Sequence, residues 1–274
     1  MSTIEKLARV ALWAAALTTI AVLVVILTHI LKQGLGVINL PFLLDAPRRM
    51  GREGGIFPTI VSTLYLTAVA IAMVAPVGIG AAVYLVEYTR ENWLTRLIRF
   101  GTETLAGIPS IIFGLFGFAF LVIYLGLGWS VLSGGLTLAF MILPTVVRTS
   151  EEALKTVPRS YREGSLALGA TRWQTIQKVV LPAALPGIIT GIILGIGRAV
   201  GETAALLLTA GSSLRAPVLL SDPARSMSVH LFVLTTEGLS MERAYGTATV
   251  LILAILIINS LANWLRRRLT IKES

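Results

Sequence analysis

Uncharged apolar runs divide this chain, and charged residues mark where each run stops. Residues 10–31 lie between Arg9 and Lys32, and residues 54–86 lie between Glu53 and Glu87. About 20 apolar residues in a helix cross the roughly 30 Å hydrocarbon core of a bilayer, so each run predicts one span. Residues 104–147 are too many for one span and hold Gly126, Gly128, Gly134 and Gly135 near their middle, which predicts two helices and a tight turn. A fifth span starts after Lys178 and continues through Gly211, and a sixth occupies 244–265 between Arg243 and Arg266. The expectation is an all-α integral membrane protein with six transmembrane helices. An N-terminal anchor helix and external loop fill 1–53, a core fills 54–268 with a loop at 149–182, and a tail fills 269–274. The first run follows Lys6 and Arg9 as a secretory signal would, but it exceeds the ~15-residue apolar stretch of such signals and ends in Thr28-His29-Ile30. It therefore reads as an anchor, with His29 at its interfacial end.

Composition agrees with the pattern. Hydrophobic residues make up 55% of the chain, charged residues 14%, and mean hydropathy is +0.83, which leaves too little polar surface to cover a soluble globule. The absence of cysteine excludes disulfides and thiolate metal sites, and two histidines leave little metal chemistry. A net charge of +9 suggests nucleic acid until its distribution is followed. With both termini on one side, fifteen Lys and Arg fall in the segments on that side (Lys6, Arg9; Arg90, Arg96, Arg99; Arg148, Lys155, Arg159, Arg162, Arg172, Lys178; Arg266, Arg267, Arg268, Lys272). Seven fall on the other side: Lys32, Arg48, Arg49, Arg52, Arg215, Arg225 and Arg243. That bias places both termini and the 149–182 loop in the cytoplasm and assigns the charge to topology, with no nucleic-acid partner. No G-x-x-x-x-G-K-[ST] pattern occurs, so the chain itself has no such nucleotide site.

Within the 149–182 loop, residues 156–182 read as ordered helix. Thr156 ahead of Pro158 suggests a capped helix start, Gly169 a stop, and Thr171 with Gln174 a capping box that restarts a helix toward Leu181 and Pro182. The first helix is about ten residues long and carries Arg159, Arg162 and Glu163, too short and too charged to span. Glu163-Gly164-Ser165, Gly169 four residues after Ser165, then Val179, Leu181 and Pro182 resemble the EAA loop of ABC importer permeases, with Gly164 and Ser165 in place of two alanines and Val179 in place of isoleucine. The resemblance implies that this short helix docks into a cleft on a cytoplasmic ATPase subunit.

The fifth span contains two charges, Arg198 and Glu202. Each costs roughly 2.5–3.5 kcal/mol at bilayer depth, so neither should face lipid. At about 100° per residue they share one narrow helical face with Gly187, Gly191 and Gly195. Two readings stay open: a salt bridge locking this span against a neighbour, or a translocation path in which Arg198 meets an anion and Glu202 holds the guanidinium or gates the path. Arg148 likewise reads either as a charged anchor at the end of the fourth span or as a path residue turned inward by Pro144. Pro76 and Pro109 are expected to shape the cavity.

The segments 106–117, 143–154 and 197–211 together resemble PstA-type phosphate permeases over nearly the whole chain from Gly54 to Arg268. Ala205 stands where a proline commonly follows the first alanine of that segment. The resemblance implies a type I ABC importer permease core of the MetI-like kind, with Arg148, Arg198 and Glu202 in phosphate movement. It further implies two ATPase subunits that bind the ATP, a second permease of the PstC kind, an external phosphate-binding protein, and alternating access. A permease for another oxyanion such as molybdate or phosphonate, a secondary transporter using the Arg198–Glu202 pair, and a pathless scaffold are the competing readings. Of the outer loops, 32–53 and 212–243, the latter is expected to receive the binding protein, with Asp222 and His230 as solvated residues.

Overall fold

The computed structural model describes residues 3–89 and 92–270. The 271–274 part of the tail, and Arg90 and Lys272 of the charge count, lie outside the described residues. Helix α1 (Thr3–Gly34) is followed by short α2 (Leu40–Leu44) and a two-stranded antiparallel hairpin, β1 (Pro47–Arg48) with β2 (Glu53–Gly54), in the register Pro47 to Gly54. The core follows: α3 (Phe57–Val83), α4 (Trp93–Ala106), α5 (Ser110–Gly117), α6 (Val131–Thr156), α7 (Arg159–Ala167), α8 (Arg172–Thr175), α9 (Leu181–Val200), α10 (Ala204–Thr209), α11 (Met227–Thr236) and α12 (Met241–Thr270). Wide π turns extend α3 through Tyr88, extend α5 through Tyr124, and join α8 to α9 across Ile176–Val180. The last of these lets the helix continue into Pro182, which lacks an N–H and would crowd the carbonyl one turn back in a regular α-helix.

Among the described residues, five helical segments are long and apolar enough to cross a membrane: Leu7–Val37, Phe57–Tyr88, Val131–Thr156, Arg172–Val200 and Met241–Trp264. A sixth crossing needs Trp93–Ala106 and Ser110–Tyr124 taken together, and these are bent by 102° at Gly107–Pro109. The segment between the second and third spans, which carries Arg96 and Arg99, forms α4, capped reciprocally by Asn92 and Thr95.

Helix α6 sits at the centre and packs on α3 and α9. Leu66, Ala70 and Val74 of α3, Leu138, Met141, Ile142 and Val146 of α6 and Ala199 of α9 build the main apolar core, and a second cluster around Val83, Leu154, Ile176, Val180 and Ile188 lies toward α7. The tight turn expected between the third and fourth spans centres on Gly126 and Gly128, whose φ of +67° and +65° suits glycine. Gly134 and Gly135 are not in that turn. They lie inside α6, where an added Cβ on Gly135 would stand 2.5 Å from Val69 Cγ1 and one on Gly134 would stand 2.7 Å from Leu66 and Ala210. Their role is close helix approach. Helix α1 touches the rest mainly through α12, where His29 Nε2 and Tyr245 Oη are 3.3 Å apart and Thr249 Oγ1 donates to the Ile30 carbonyl, and most of its length is exposed.

Candidate functional site

The expected Arg198–Glu202 helical face does not form. Helix α9 ends at Val200, and Gly201 with Glu202 make a break before α10. The reason is a local competition. The Glu202 carboxylate accepts the Ala205 N–H at 3.1 Å and so starts a new helix, instead of Glu202 continuing the old one. The Glu202 carbonyl accepts the Ser228 hydroxyl at the start of α11, and the Met227 N–H donates to Thr63 Oγ1 of α3 at 2.9 Å. Arg198 lies in the last turn of α9, exposed, and no hydrogen bond or ion pair reaches it among the described residues. The glycine stripe of α9 serves packing: an added Cβ on Gly187 would lie 2.6 Å from Ala153 Cβ, and one on Gly191 would meet Thr149, both on α6. Arg198 is thus an exposed guanidinium four residues before a carboxylate that is held by backbone, and the carbonyl of that Glu202 is tied to the start of α11.

Arg148 lies elsewhere. Helix α6 runs unbroken through Pro144, and Arg148 pairs with Glu103 of α4 at 3.2 Å, both side chains exposed. They line a cavity of about 260 Å³ between α4 and α6 together with Arg99, Thr145 and Glu151. Buried Glu151 is held by Arg99 at 2.8 Å and Lys155 at 2.9 Å. No hydrogen bond or ion pair connects Arg148 to Arg198 or Glu202 among the described residues.

The 156–182 segment forms the predicted pair of helices with one change. Thr156 is the last residue of α6 and donates its hydroxyl back to the Ala153 carbonyl at 2.8 Å, so it does not cap α7, whose N-cap is Pro158. Gly169 ends α7 with φ +86°, and the Thr171–Gln174 capping box is present. Ser165 Oγ lies 3.0 Å from Thr175 Oγ1 and ties α7 to α8. An added Cβ on Gly164 would meet nothing within 4 Å, so the alanine of the EAA pattern would fit there. Glu163, Gly164 and Gly169 are exposed, as are Tyr161, Leu166, Leu168 and Trp173; Val179 and Leu181 are half-buried and Pro182 is exposed.

The anchor of this hairpin is a pair that sequence reasoning passed over. Buried Glu87, at the end of the second run, accepts from Arg162 Nε at 3.0 Å and Nη2 at 2.8 Å, while the same guanidinium donates to the carbonyls of Val157 and Leu154 at 2.7 and 2.9 Å. Arg172 donates to the Glu87 carbonyl and stacks over Tyr88, 5.1 Å from the ring centroid. The signal available was Glu87 itself, the residue that stops an apolar run on the side of the EAA loop.

His230 and Asp222 were expected to be solvated. Asp222 is, in part: it accepts the Val218 and Leu219 N–H groups at 2.9 and 2.8 Å, which hold its carboxyl below the usual range. His230 is not. It is fully buried on α11 under the hairpin tip at Gly51, neither ring nitrogen has a hydrogen-bond partner, and burial, with the nearby Arg225 guanidinium, pushes its pKa down to about 4. No cluster of three or more metal-ligating side chains occurs among the described residues.

Comparison with known proteins places these features. Residues 74–271 match the family described as binding-protein-dependent transport system inner membrane component. The probable ABC transporter permease protein YqgI of Bacillus subtilis is 34% identical over 277 residues, covering 95% of this chain and 94% of that protein. The phosphate transport system permease protein PstA 1 of Mycobacterium tuberculosis H37Rv is 38% identical over 216 residues, 78% of this chain and 70% of that protein. Among solved structures, the inward-facing MetNI methionine ABC transporter superposes with a TM-score of 0.63 at 20% identity, covering 78% of this chain and 94% of that one. A bacterial alginate ABC transporter superposes with a TM-score of 0.67 at 16% identity, over 98% of both chains. With its membrane-spanning helices, its EAA-type hairpin and these relatives, the chain belongs to the family of binding-protein-dependent inner-membrane transport components and is a permease of the MetI-like ABC importer fold.

Proposed function

We propose that this permease carries inorganic phosphate inward as half of a heteromeric permease pair. Two cytoplasmic ATPase subunits drive it through the α7 hairpin, and an external binding protein supplies the cargo. The observation that carries the reading is Arg198, an exposed guanidinium without a partner among the described residues at the end of an otherwise apolar helix, four residues before a carboxylate whose oxygen is engaged by the Ala205 N–H. A charge placed there at such cost needs a partner that comes and goes. A planar guanidinium offers paired donors to an oxyanion, and the PstA relatives at 32–38% identity are named for phosphate. Arg148, paired with Glu103 of α4, would be reached by phosphate later in the path, exchanging one oxyanion partner for another. Glu163, Gly164, Ser165, Gly169, Val179, Leu181 and Pro182 form the ATPase-coupling element, with the α7 side and both termini in the cytoplasm as the charge bias directs.

Alternating access follows from differential binding: ATP must bind the outward-facing assembly better than the inward-facing one. The test is reconstitution with ATPase, second-permease and binding-protein partners. Phosphate uptake should require ATP, stop in Arg198→Gln, and stop in a Glu163→Ala loop variant that still inserts. Uptake driven by a proton gradient alone would refute the ABC mechanism, and molybdate or phosphonate uptake without phosphate uptake would reassign the cargo.

A further inference from the structure

A charged cavity of about 590 Å³ opens between the end of α3, α4 and α7. Five cations from four helices line it, Arg99 of α4, Lys155 of α6, Arg159 and Arg162 of α7 and Arg172 of α8, with the carboxylates of Glu87 and Glu163, and Arg99 and Lys155 are both paired with Glu151. The Glu87 carboxylate is taken by Arg162, and Arg159 is exposed and has no partner among the described residues. The cavity is far larger than one tetrahedral oxyanion fills.

The second observation is the helix that forms one wall. Thr95 and Arg99 of α4 point into the cavity, while Trp93, Leu97 and Phe100 on the opposite face are 71%, 53% and 66% exposed. This helix is bent by 102° from the following apolar segment, as an interfacial helix would be. Its apolar side faces outward and its basic side faces the cavity, so headgroup chemistry and acyl-chain chemistry meet across one helix.

We propose that this cavity holds the phosphate headgroup of an anionic phospholipid whose acyl chains lie along the Trp93–Leu97–Phe100 face of α4. Guanidinium groups from α7 and α8 provide forked donors to the phosphodiester oxygens, and the headgroup joins the membrane surface to the helix that couples to the ATPase. The inference does not depend on what the permease transports.

The test uses the full chain purified in neutral detergent and exposed to palmitoyl-oleoyl phosphatidylglycerol or to the phosphatidylcholine analogue, with bound lipid counted by native mass spectrometry. Phosphatidylglycerol should be retained preferentially, and Arg159→Gln, an exposed change that leaves every mapped hydrogen bond in place, should weaken retention about fivefold, the effect of one basic residue at an anionic surface. Arg215→Gln, an equal loss of charge in a distant loop, should leave it unchanged. Leu97→Gln should also weaken retention, because it interrupts the acyl-facing side. Four results would overturn the proposal: equal retention of the two lipids; indifference to Arg159→Glu; displacement of the lipid by millimolar orthophosphate, which would make this a free-anion site; or loss of lipid when the ATPase subunits are added, which would make an acidic partner segment the occupant.

Discussion

His230 shows how one buried side chain makes the fold answer to pH. Its ring is enclosed by α11, the hairpin tip at Gly51 and Leu234, and the charged group facing it is Arg225, itself buried and bonded through Nε to the Ser212 carbonyl. Neither group is a good host for an imidazolium. The folded pKa of about 4 lies below the unfolded value of 6.5, so the unfolded chain binds the proton first as pH falls. Stability from the neutral ring is therefore complete above pH 6.5 and is lost progressively toward pH 4. Between pH 7 and pH 5 the loss should be about 2 kcal/mol. Thermal unfolding in detergent at the two pH values measures it, and the drop should shrink in His230→Gln. This burial was not legible from the sequence, because a histidine in a loop between spans reads as wet unless one knows that residues 227–236 fold inward as α11.

At the scale of elements, the Arg162–Glu87 pair decides whether α7 is a rigid lever. Both side chains are largely shielded, 18% and 9% exposed, and the guanidinium closes two further carbonyls of the α6–α7 link. Removing one partner leaves the other buried charge uncompensated, typically a loss of about 3 kcal/mol. Arg162→Ala should raise hydrogen exchange across 159–175 and let ATP turn over in the reconstituted complex without matching transport. Glu87→Gln should behave alike, and the double variant should be less harmful than the sum of the two. The α6–α9 contact makes an opposed pair of expectations. Gly187→Ala drives a methyl onto Ala153, which has no rotamer to yield, and should destabilise by about 1–3 kcal/mol. Gly197→Ala enters open space on the same helix and should stabilise by up to about 1 kcal/mol. Thermal unfolding midpoints of the two variants should move in opposite directions. The hairpin was legible because its signals are local: Gly169 stops a helix and Thr171 with Gln174 starts one. The end of α9 was not, since apolar periodicity runs on through Gly201 and only the Glu202 carboxylate, turned to the Ala205 N–H, breaks it. Helix α4 escaped for the opposite reason: Arg96, Arg99 and Glu103 interrupt the apolar run, and the partners of Arg99 and Glu103, Glu151 and Arg148, lie on α6, 52 and 45 residues further along the chain.

For the whole molecule, the direction of α3 and α6 fixes how often the chain crosses. Helix α3 begins near Met227 of α11 and ends at Glu87 beside Arg162, whereas α6 begins with the Val131 N–H on the Asp222 carbonyl and ends at α7. The chain must therefore travel from the α7 end at Glu87 to the opposite end at Val131, and only α4 with α5 lies between. The apolar part, Ser110–Tyr124, would measure roughly 22 Å as regular helix, short of a full hydrocarbon core, which is consistent with α4 turning through 102° to lie across its end. Counted as one crossing, the pair makes six, and an even number returns the C-terminal end of α12 to the side where α1 starts. The fifteen-to-seven basic bias is the ground on which we propose that this side is cytoplasmic. The absence of cysteine makes this directly measurable with single introduced thiols at exposed sites, Leu168→Cys on the α7 hairpin and Val218→Cys in the 212–226 loop. A membrane-impermeant maleimide should label Val218→Cys and spare Leu168→Cys in intact spheroplasts, and the pattern should reverse in inverted vesicles. Labelling of both from one face would mean that α4 and α5 re-enter without crossing, and would separate the hairpin from any cytoplasmic ATPase.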